Sequence, residues 1–250
     1  MTANRYRDLT LLSLDSGNQL AIACDSSAGI GLKRHDQVEV SPDIMAACCL
    51  RVPLFELICI GATPKAIIDV IGNEYEPTGK SMLKGIEKEL LKAGLTDIVL
   101  NGSTEENMIT TMSTVGITVI GELTDSHQLP RVKSGDYLFR LGTPYVGEAV
   151  VKNLDTLCSY DELYALKEDS AVRDMLPVGS KGISYEGQLM AKDYGLEVRF
   201  NQCEPGLLQQ SAGPSTVVLI AVEGPQKKTF MKRYPQLVEV GQFNQIEKVS

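Results

Sequence analysis

Short apolar runs separated by polar turns predict a chain that alternates between strands and helices. The first half contains six runs of strand character, at residues 9–14, 20–24, 35–40, 66–72, 97–100 and 108–123. The first two flank a polar turn at 15–18, which is the pattern of a β-hairpin. Residues 1–8 are polar and are expected to form a loose leader.

Helices are predicted between these strands. Ser41-Pro42-Asp43 is a helix start and Gly61 a helix end, so 42–60 is expected to be a helix, and 80–93 has an apolar face of helical period. The second half repeats the alternation, with strands at 136–141, 196–200, 216–222 and 237–240 and helices at 147–154, 160–169, 183–194 and 225–234. This pattern predicts an α/β (α+β) fold.

A polar segment divides the chain. Residues 124–134 contain Pro130 and lack apolar periodicity, so they are expected to separate a domain at 1–130 from a second at 131–250. The chain of 250 residues is long enough for two modest domains.

Composition excludes several classes of function. A formal net charge of −8 argues against a nucleic-acid or anionic-membrane surface, and only two histidines exclude a His-rich metal site. The most apolar segment, 44–60, contains Arg51, Pro53 and Glu56 and is short for a bilayer span. The six cysteines form no Cys-x-x-Cys pair and are interpreted as buried free thiols, which with the polar N-terminus favours the cytoplasm.

The first candidate site follows the apolar run 20–24. Asp25, Gly29, Gly31 and Lys33 combine a carboxylate for Mg²⁺, glycines that let backbone N–H groups approach phosphate, and a cation. This stretch is either a metal–nucleotide loop or a polar turn between strands. The hairpin would place Asp8 near Asp25, as the start of a metal site or as two separate surface acids.

Three further features are candidate contacts for a ligand. Glu56 lies among apolar helix residues, where a carboxylate is costly unless it is bonded, so it contacts a metal or ligand or lies at a solvated helix edge. The polar stretch 101–107 follows a predicted strand, and ligands collect at such ends. A third glycine-bearing loop, 176–182, precedes a helix whose first N–H groups could bind an anion; the role of Lys181 there is open.

Together these motifs resemble the superfamily of aminoimidazole ribonucleotide (AIR) synthetase and thiamine-monophosphate kinase. Ala-Cys-Asp with Gly-Ile-Gly-Leu-Lys (23–25 and 29–33) is similar to Thr-Asp-Gly-Val-Gly-Thr-Lys, and the helix end at 54–64 to Ser-Asp-x-x-Ala-Met-Gly-Ala-x-Pro. Asn-Gly-Ser-Thr (101–104) resembles Gly-Gly-Asp-Thr, and 134–144 resembles the start of the kinases' second domain. Within the superfamily the chain is most similar to the α-ribazole kinases.

The resemblance implies a two-domain subunit with an N-terminal mixed sheet that binds Mg-ATP and dimerises, and a C-terminal α/β sandwich that completes the substrate site. It implies ATP and Mg²⁺ as cofactors, a nucleoside-like small-molecule substrate, and a homodimer without nucleic-acid or membrane partners. By position, Asp8, Asp25 and Glu56 would bind the metal, and Lys33 matches the loop lysine and would contact the phosphates. Apart from the family match, a nearby carboxylate, Glu106 or Asp25, is the candidate to accept the hydroxyl proton. The residues expected at the nucleotide are Gly29, Gly31, Lys33, Gly102, Ser103 and Thr104.

The expected reaction is transfer of the γ-phosphoryl group of ATP to the ribose primary hydroxyl of α-ribazole, in cobalamin lower-ligand salvage. Two departures from the family pattern keep alternatives open: Glu56 replaces an aspartate, and Ser103 replaces the loop aspartate. Glu105 or Glu106 could take over the lost carboxylate. The alternatives are another ATP-dependent enzyme of the superfamily, of thiamine-monophosphate kinase or synthetase type, or a non-catalytic nucleotide-binding relative.

Overall fold

The computed structural model describes residues 2–246 and divides into two compact units, Met1–His127 and Gln128–Ser250. The strands of the first unit are β1 Ala3–Tyr6, β2 Leu9–Ser13, β3 Gln19–Ala28, β4 Ile30–Gly31, β5 Val38–Glu39, β6 Thr63–Ile71, β7 Val99–Thr104 and β8 Thr114–Leu123. Its helices are α1 Pro42–Ile60 and α2 Lys80–Lys92, preceded by a π-helical turn at Tyr75–Gly79.

Six strands of the first unit form one mixed sheet in the order β1-β2-β3-β8-β6-β7. All neighbours are antiparallel except β6 and β7, which are parallel. The α1 helix packs against β3, β8 and α2. Leu57 of α1 lies over Gly121, so the face that carries Gly121 and its strand partner Ala21 is the buried one. The opposite face, here named the open face, carries partly or largely exposed side chains, among them Ile22, Ile120 and Val70.

The α1 helix is buried along most of its length, as its apolar sequence predicts. Pro42 begins it, and Gly61 ends it in the left-handed conformation with its N–H donated to Ile58 O. Ser41 lies at the N-cap, but its side chain makes no capping bond to the helix. No helix within residues 2–246 is long and apolar enough to cross a membrane.

The second unit is built on a fully antiparallel sheet in the order β10-β12-β9-β13-β11. Its strands are β9 Tyr137–Gly142, β10 Val172–Pro177, β11 Leu196–Phe200, β12 Val217–Val222 and β13 Val238–Gln245, and its helices are α3 Glu148–Lys152, α4 Tyr160–Glu168, α5 Gly182–Lys192 and α6 Lys227–Arg233. The α5 helix covers one face, where Ile183 and Met190 share a core with Leu138 and Leu219. The predicted two-domain α/β fold is confirmed.

Several local predictions were wrong. Residues 3–6 are not a loose leader, because they pair with β2 as an edge strand. The polar stretch after residue 24 was expected to leave the sheet, yet β3 continues to Ala28, since each of these residues pairs with β8. Likewise Asn101–Thr104 form the end of β7 rather than a loop, because they pair with β6.

The remaining differences concern strand limits. The β-rich segment 108–123 forms a strand only from Thr114, and the segment before it is irregular. The strand β10 was not predicted, and its last two residues, 176–177, were assigned to the glycine-bearing loop 176–182. The last strand is longer than predicted and reaches Gln245.

Candidate functional site

Three connecting segments meet at one end of the first sheet. They are 29–36, which follows β3, 72–79, which follows β6, and 105–113, which joins β7 to β8. Backbone hydrogen bonds join them: Gly29 N donates to Ser113 O (2.9 Å), Gly72 N to Thr114 O (3.1 Å), and Glu105 N to Asn73 O (3.0 Å). The structure therefore brings together the first two polar stretches that the sequence indicated.

Asn73 links two of these segments through its side chain and is fully buried. Its Nδ2 donates to Thr110 Oγ1 (2.7 Å) and Met112 O (2.9 Å), and its Oδ1 accepts from Thr114 N (2.8 Å). A buried amide with all these groups bonded fixes the start of β8 relative to the end of β6. Sequence reasoning missed Asn73, since a lone asparagine after a strand is typical of a turn.

Asp36 holds the glycine-bearing segment in the same way. Its Oδ2 accepts from Lys33 N (2.7 Å) and Ser113 Oγ (2.8 Å), and its Oδ1 accepts from Ser113 N (2.8 Å). A Cβ at position 31 would lie 2.2 Å from Ser113 Oγ and 2.6 Å from Asp36 Oδ2, so this approach requires Gly31. Gly29 has a φ of 74°, a backbone conformation that glycine adopts without strain.

Lys33 is already bonded in this structure. Its Nζ lies 2.7 Å from Glu74 Oε2 and 3.3 Å from Thr110 O. Burial acts to raise the pKa of Glu74, but the hydrogen bonds from Lys33 and Thr78 outweigh it and hold that pKa below its ordinary value. The Lys33 cation therefore lies at the site, and a phosphate that bound it would have to share it with Glu74.

Two aspartates flank Ile117 in one row across the sheet. Asp25 on β3 and Asp69 on β6 both pair with Ile117 of β8, and all three side chains are on the face covered by α1. Burial raises the pKa of both carboxyls, and the thiol of Cys49 on α1 is a hydrogen-bond partner of Asp25. Neither forms an ion pair with a lysine or arginine in the described part of the chain.

Asp69 was missed by sequence reasoning, although an acid in the apolar run 66–71 carried the same signal as Glu56. The structure makes room for it at the next strand: Gly102 pairs with Asp69, and a Cβ at position 102 would lie 2.2 Å from Asp69 Cγ. Two desolvated carboxylates without a counter-ion, Asp25 and Asp69, have the donor chemistry of a hard cation such as Mg²⁺.

The other predicted metal ligands lie elsewhere. Asp8 is exposed in the turn between β1 and β2, with its Oδ1 3.3 Å from Arg5 Nη2, and Glu56 is partly buried on α1. Thr10 pairs with Ile22, so Asp8 does lie toward the Asp25 end of the hairpin. Within residues 2–246, no three or more His, Cys, Asp or Glu side chains form a group that could hold a metal ion. The metal role of Asp8 and Glu56 stays a prediction.

The residues around Ser103 lie alternately on the two faces of the sheet. Ser103 pairs with Val70 on the open face of the sheet, opposite to Asp69 and Gly102. Glu106 Oε1 accepts from Tyr75 N (2.7 Å) and Thr104 Oγ1 (2.8 Å), whereas Glu105 Oε1 accepts from the N–H groups of residues 107 and 108. Glu106 thus connects two of the joined segments, whereas Glu105 stabilises only the turn that follows it.

Comparison with known proteins agrees with this architecture. Solved structures similar to this chain include AaThiL complexed with AMPPCP and TMP (TM-score 0.66, 12% identity, 96% of this chain and 85% of that one). They also include thiamine-monophosphate kinase from Stenotrophomonas maltophilia K279a (TM-score 0.65, 13% identity, 98% and 89%). A third is T. maritima PurL complexed with AMPPCP (TM-score 0.61, 13% identity, 95% and 37%). At these identities the likeness establishes the fold.

The first unit has sequence similarity to a known family. Residues 6–123 match the family model described as AIR synthase related protein, N-terminal domain, which is most of that unit and just under half of the chain. The whole chain has the AIR-synthase-like two-domain fold. No curated protein matches the chain.

Proposed function

We propose that this protein is a Mg²⁺-dependent kinase that transfers the γ-phosphoryl group of ATP to the ribose primary hydroxyl of a nucleoside, with α-ribazole as the substrate. One observation carries the proposal: two carboxylates desolvated by burial, Asp25 and Asp69, lie on the sheet whose end carries the three joined loops and Lys33, in a unit that matches the AIR synthase related N-terminal domain model. The similar structures with AMPPCP support ATP as the donor.

The side chains of the site suit phosphoryl transfer, which depends mainly on positioning and on neutralising charge. Bound Mg²⁺ would supply charge neutralisation at the phosphates. Asp25 and Asp69 would hold the ion, with Asp8 and Glu56 as further proposed ligands. The segments carrying Gly29, Gly31, Gly102, Ser103 and Thr104 would line the nucleotide.

Lys33 would bind a phosphate oxygen and share its ammonium group with Glu74. Glu106 uses only Oε1 in its two hydrogen bonds, so its Oε2 is left to accept the proton of the attacking hydroxyl. Asp25 is the alternative base, because burial increases its affinity for a proton.

We also propose that the subunit dimerises through the open face of its first sheet. Val70 and Val99 on that face are 60% and 63% exposed, and Ile22 and Ile120 lie on it in the same row as Val99. Exposed apolar strand surface of this kind is commonly covered by another chain. A cytoplasmic location is proposed with it.

The reaction is tested by incubating the purified protein with Mg-ATP and α-ribazole and measuring α-ribazole phosphate by mass spectrometry. Thiamine monophosphate and aminoimidazole precursors are run beside it. Product from α-ribazole alone is expected. Product only from another acceptor would replace the substrate, and ATP binding by calorimetry without any product would favour a nucleotide-binding relative that lacks catalysis.

Two variants connect the reaction to the site. Asp69→Asn is expected to lower turnover by about two orders of magnitude or more, since the loss of a metal ligand removes charge stabilisation of several kcal/mol. Asp97→Asn is the matched control, because Asp97 is an exposed aspartate of the same unit. Equal turnover in the two variants would contradict the role of Asp69.

A further inference from the structure

Acidic side chains outnumber basic ones in the three joined segments, 29–36, 72–79 and 105–113. Five carboxylates lie in them: Asp36, Glu74, Glu76, Glu105 and Glu106. The basic side chains of these segments are consecutive in the sequence: Lys33, Arg34 and His35. Because a nucleotide polyphosphate is strongly negative, these carboxylates would repel it unless nearby cations compensate for them.

These three basic residues belong to one tight turn. The N–H of Asp36 donates to Lys33 O (3.1 Å), so residues 33–36 form a β-turn with Arg34 and His35 at its two central positions. The Asp36 carboxylate also accepts from Lys33 N (2.7 Å), which holds the two ends of the turn together. The ends of a β-turn are less than about 7 Å apart, so the Lys33 and Arg34 side chains leave the backbone at neighbouring points.

The turn is anchored to the segment that joins β7 to β8. His35 N donates to Thr111 O (2.9 Å), and His35 Nδ1 lies 3.0 Å from Thr111 Oγ1. Lys33 Nζ lies 3.3 Å from the carbonyl oxygen of Thr110, the preceding residue. A turn that is held in this way loses little conformational entropy when a ligand binds to it. Its backbone therefore presents Arg34 from a fixed position.

Arg34 differs from its two neighbours in the bonding of its side chain. The Lys33 ammonium is paired with Glu74 (2.7 Å), and the His35 ring is bonded to Thr111. Arg34 is exposed, and within residues 2–246 its guanidinium forms no hydrogen bond or ion pair. All of its N–H donors are therefore left for a ligand. Lys33, by contrast, would bring to a phosphate a charge that Glu74 already partly neutralises.

We infer that Arg34 binds the phosphate group next to the one that Lys33 contacts, so that this turn selects a polyphosphate over a monophosphate. The inference rests on the proposed function, since it takes Mg-ATP as the ligand, and it adds a second cation to the phosphate site. The planar guanidinium can donate to two oxygens of one phosphate, as a fork that an ammonium group lacks. A monophosphate has no second phosphate group and would lose the contact with Arg34.

The test is calorimetry on the full-length protein with Mg²⁺ and three probes: ATP, AMP and inorganic tripolyphosphate. Arg34→Gln is expected to weaken the binding of ATP and of tripolyphosphate by about tenfold or more, as the loss of a charge-assisted fork predicts, and that of AMP by much less. Lys84→Gln is the matched control, because it removes the charge of an exposed side chain on α2 that forms no ion pair within the described residues. Equal ATP affinity in the two variants would overturn the inference.

Further outcomes separate this inference from the proposed reaction and from a structural role of Arg34. If wild type binds neither ATP nor tripolyphosphate, both proposals fail; if wild type phosphorylates a nucleoside and Arg34→Gln binds ATP equally tightly, only the inference fails. Equal losses for ATP and AMP would contradict the selection of a polyphosphate. Without ligand, Arg34→Gln should keep the melting temperature of wild type, whereas a lowered one would show that the arginine is structural. Arg34→Lys should recover part of the ATP affinity, since it keeps the charge but not the fork.

Discussion

The carboxylate of Asp69 occupies the space that any side chain at Gly102 would need. A Cβ at position 102 would lie 2.2 Å from Asp69 Cγ and from Asp69 Oδ2, with β6 and β7 paired in parallel at these two residues. The Asp69 carboxylate alone therefore explains why position 102 is a glycine, whether or not Gly102 also contacts a ligand. The position of Asp69 in the proposed metal site depends on this contact with Gly102.

Gly102→Ala is accordingly expected to displace the Asp69 carboxylate. Overpacking of this kind costs about 1–3 kcal/mol of unfolding free energy. Calorimetry with and without Mg²⁺ measures the metal-dependent binding of ATP. The loss of binding free energy should be larger than the loss of unfolding free energy, because the displaced Asp69 carboxylate is itself the proposed metal ligand. Gly116→Ala is the control, since the nearest atom to its Cβ position is 3.9 Å away. If Gly102→Ala bound ATP as tightly as wild type does, the proposed role of Asp69 as a metal ligand would be contradicted.

Burial of Asp25 and Asp69 predicts an unusual dependence of stability on pH. The pKa of each carboxyl is raised above its ordinary 3.8 in the folded state, so the folded protein binds more protons than the unfolded chain above that pH. Their contribution to stability is then fully present below pH 3.8 and is lost as the pH rises through the raised values.

Asp25→Asn should therefore raise the melting temperature at pH 7 in the absence of Mg²⁺, by about 2–4 °C for each kcal/mol relieved. The difference from wild type should shrink as the pH is lowered toward 3.8. Adding Mg²⁺ should stabilise wild type more than the variant, as a ligand that binds only the native state does. Calorimetric scans across pH measure both effects. A variant less stable than wild type at every pH would refute the desolvation argument.

These predictions depend on features that the sequence indicated only in part. The pattern located the helix 42–60, because its apolar run, Pro42 and Gly61 are local signals. It failed at Ser26, Ser27 and Ala28, where polar residues remain in a strand because β8 supplies their partners, and pairing between distant segments overrides local polarity. The edge strand at residues 3–6 was missed for the same reason.

The candidate site shows the same limit. Asp25, Lys33 and Glu106 were identified from the residues around them, but which carboxylates share a row depends on the register of three strands. Asp69 and Gly102 are 33 residues apart in the chain and meet only through the parallel pairing of β6 and β7. No local sequence pattern indicates such a contact. The same holds for Lys33 and its partner Glu74, which are 41 residues apart.

The ion pair of Lys33 and Glu74 makes a further prediction. Both side chains are partly buried, 18% and 31% exposed, and their atoms are 2.7 Å apart. Lys33→Met should lower the unfolding free energy by about 1–2 kcal/mol, less than a fully buried pair because solvent screens the charges. It should also weaken ATP binding, since the proposed phosphate contact is lost.

Glu74→Gln separates these two effects. It removes the same ion pair but keeps Lys33 for the phosphate, so stability should fall while ATP affinity is retained or rises. Denaturant unfolding and calorimetry with Mg-ATP measure the two quantities. ATP affinity reduced equally in both variants would show that the ion pair supports the loops and that Lys33 has no separate phosphate role.

The open face of the first sheet predicts the state of assembly. Val70 and Val99 expose apolar side chains there, and in a dimer formed through this face they would be buried. Wild type is expected to be a dimer by light scattering at micromolar concentration, and Val70→Lys to be a monomer with unchanged helix content, because a buried unpaired ammonium is strongly unfavourable. Leu91→Lys is the control, since Leu91 is 68% exposed on α2, away from that face. A wild-type monomer, or a dimer that persists in Val70→Lys, would mean that this face is not the interface, and its apolar strands would then need another explanation.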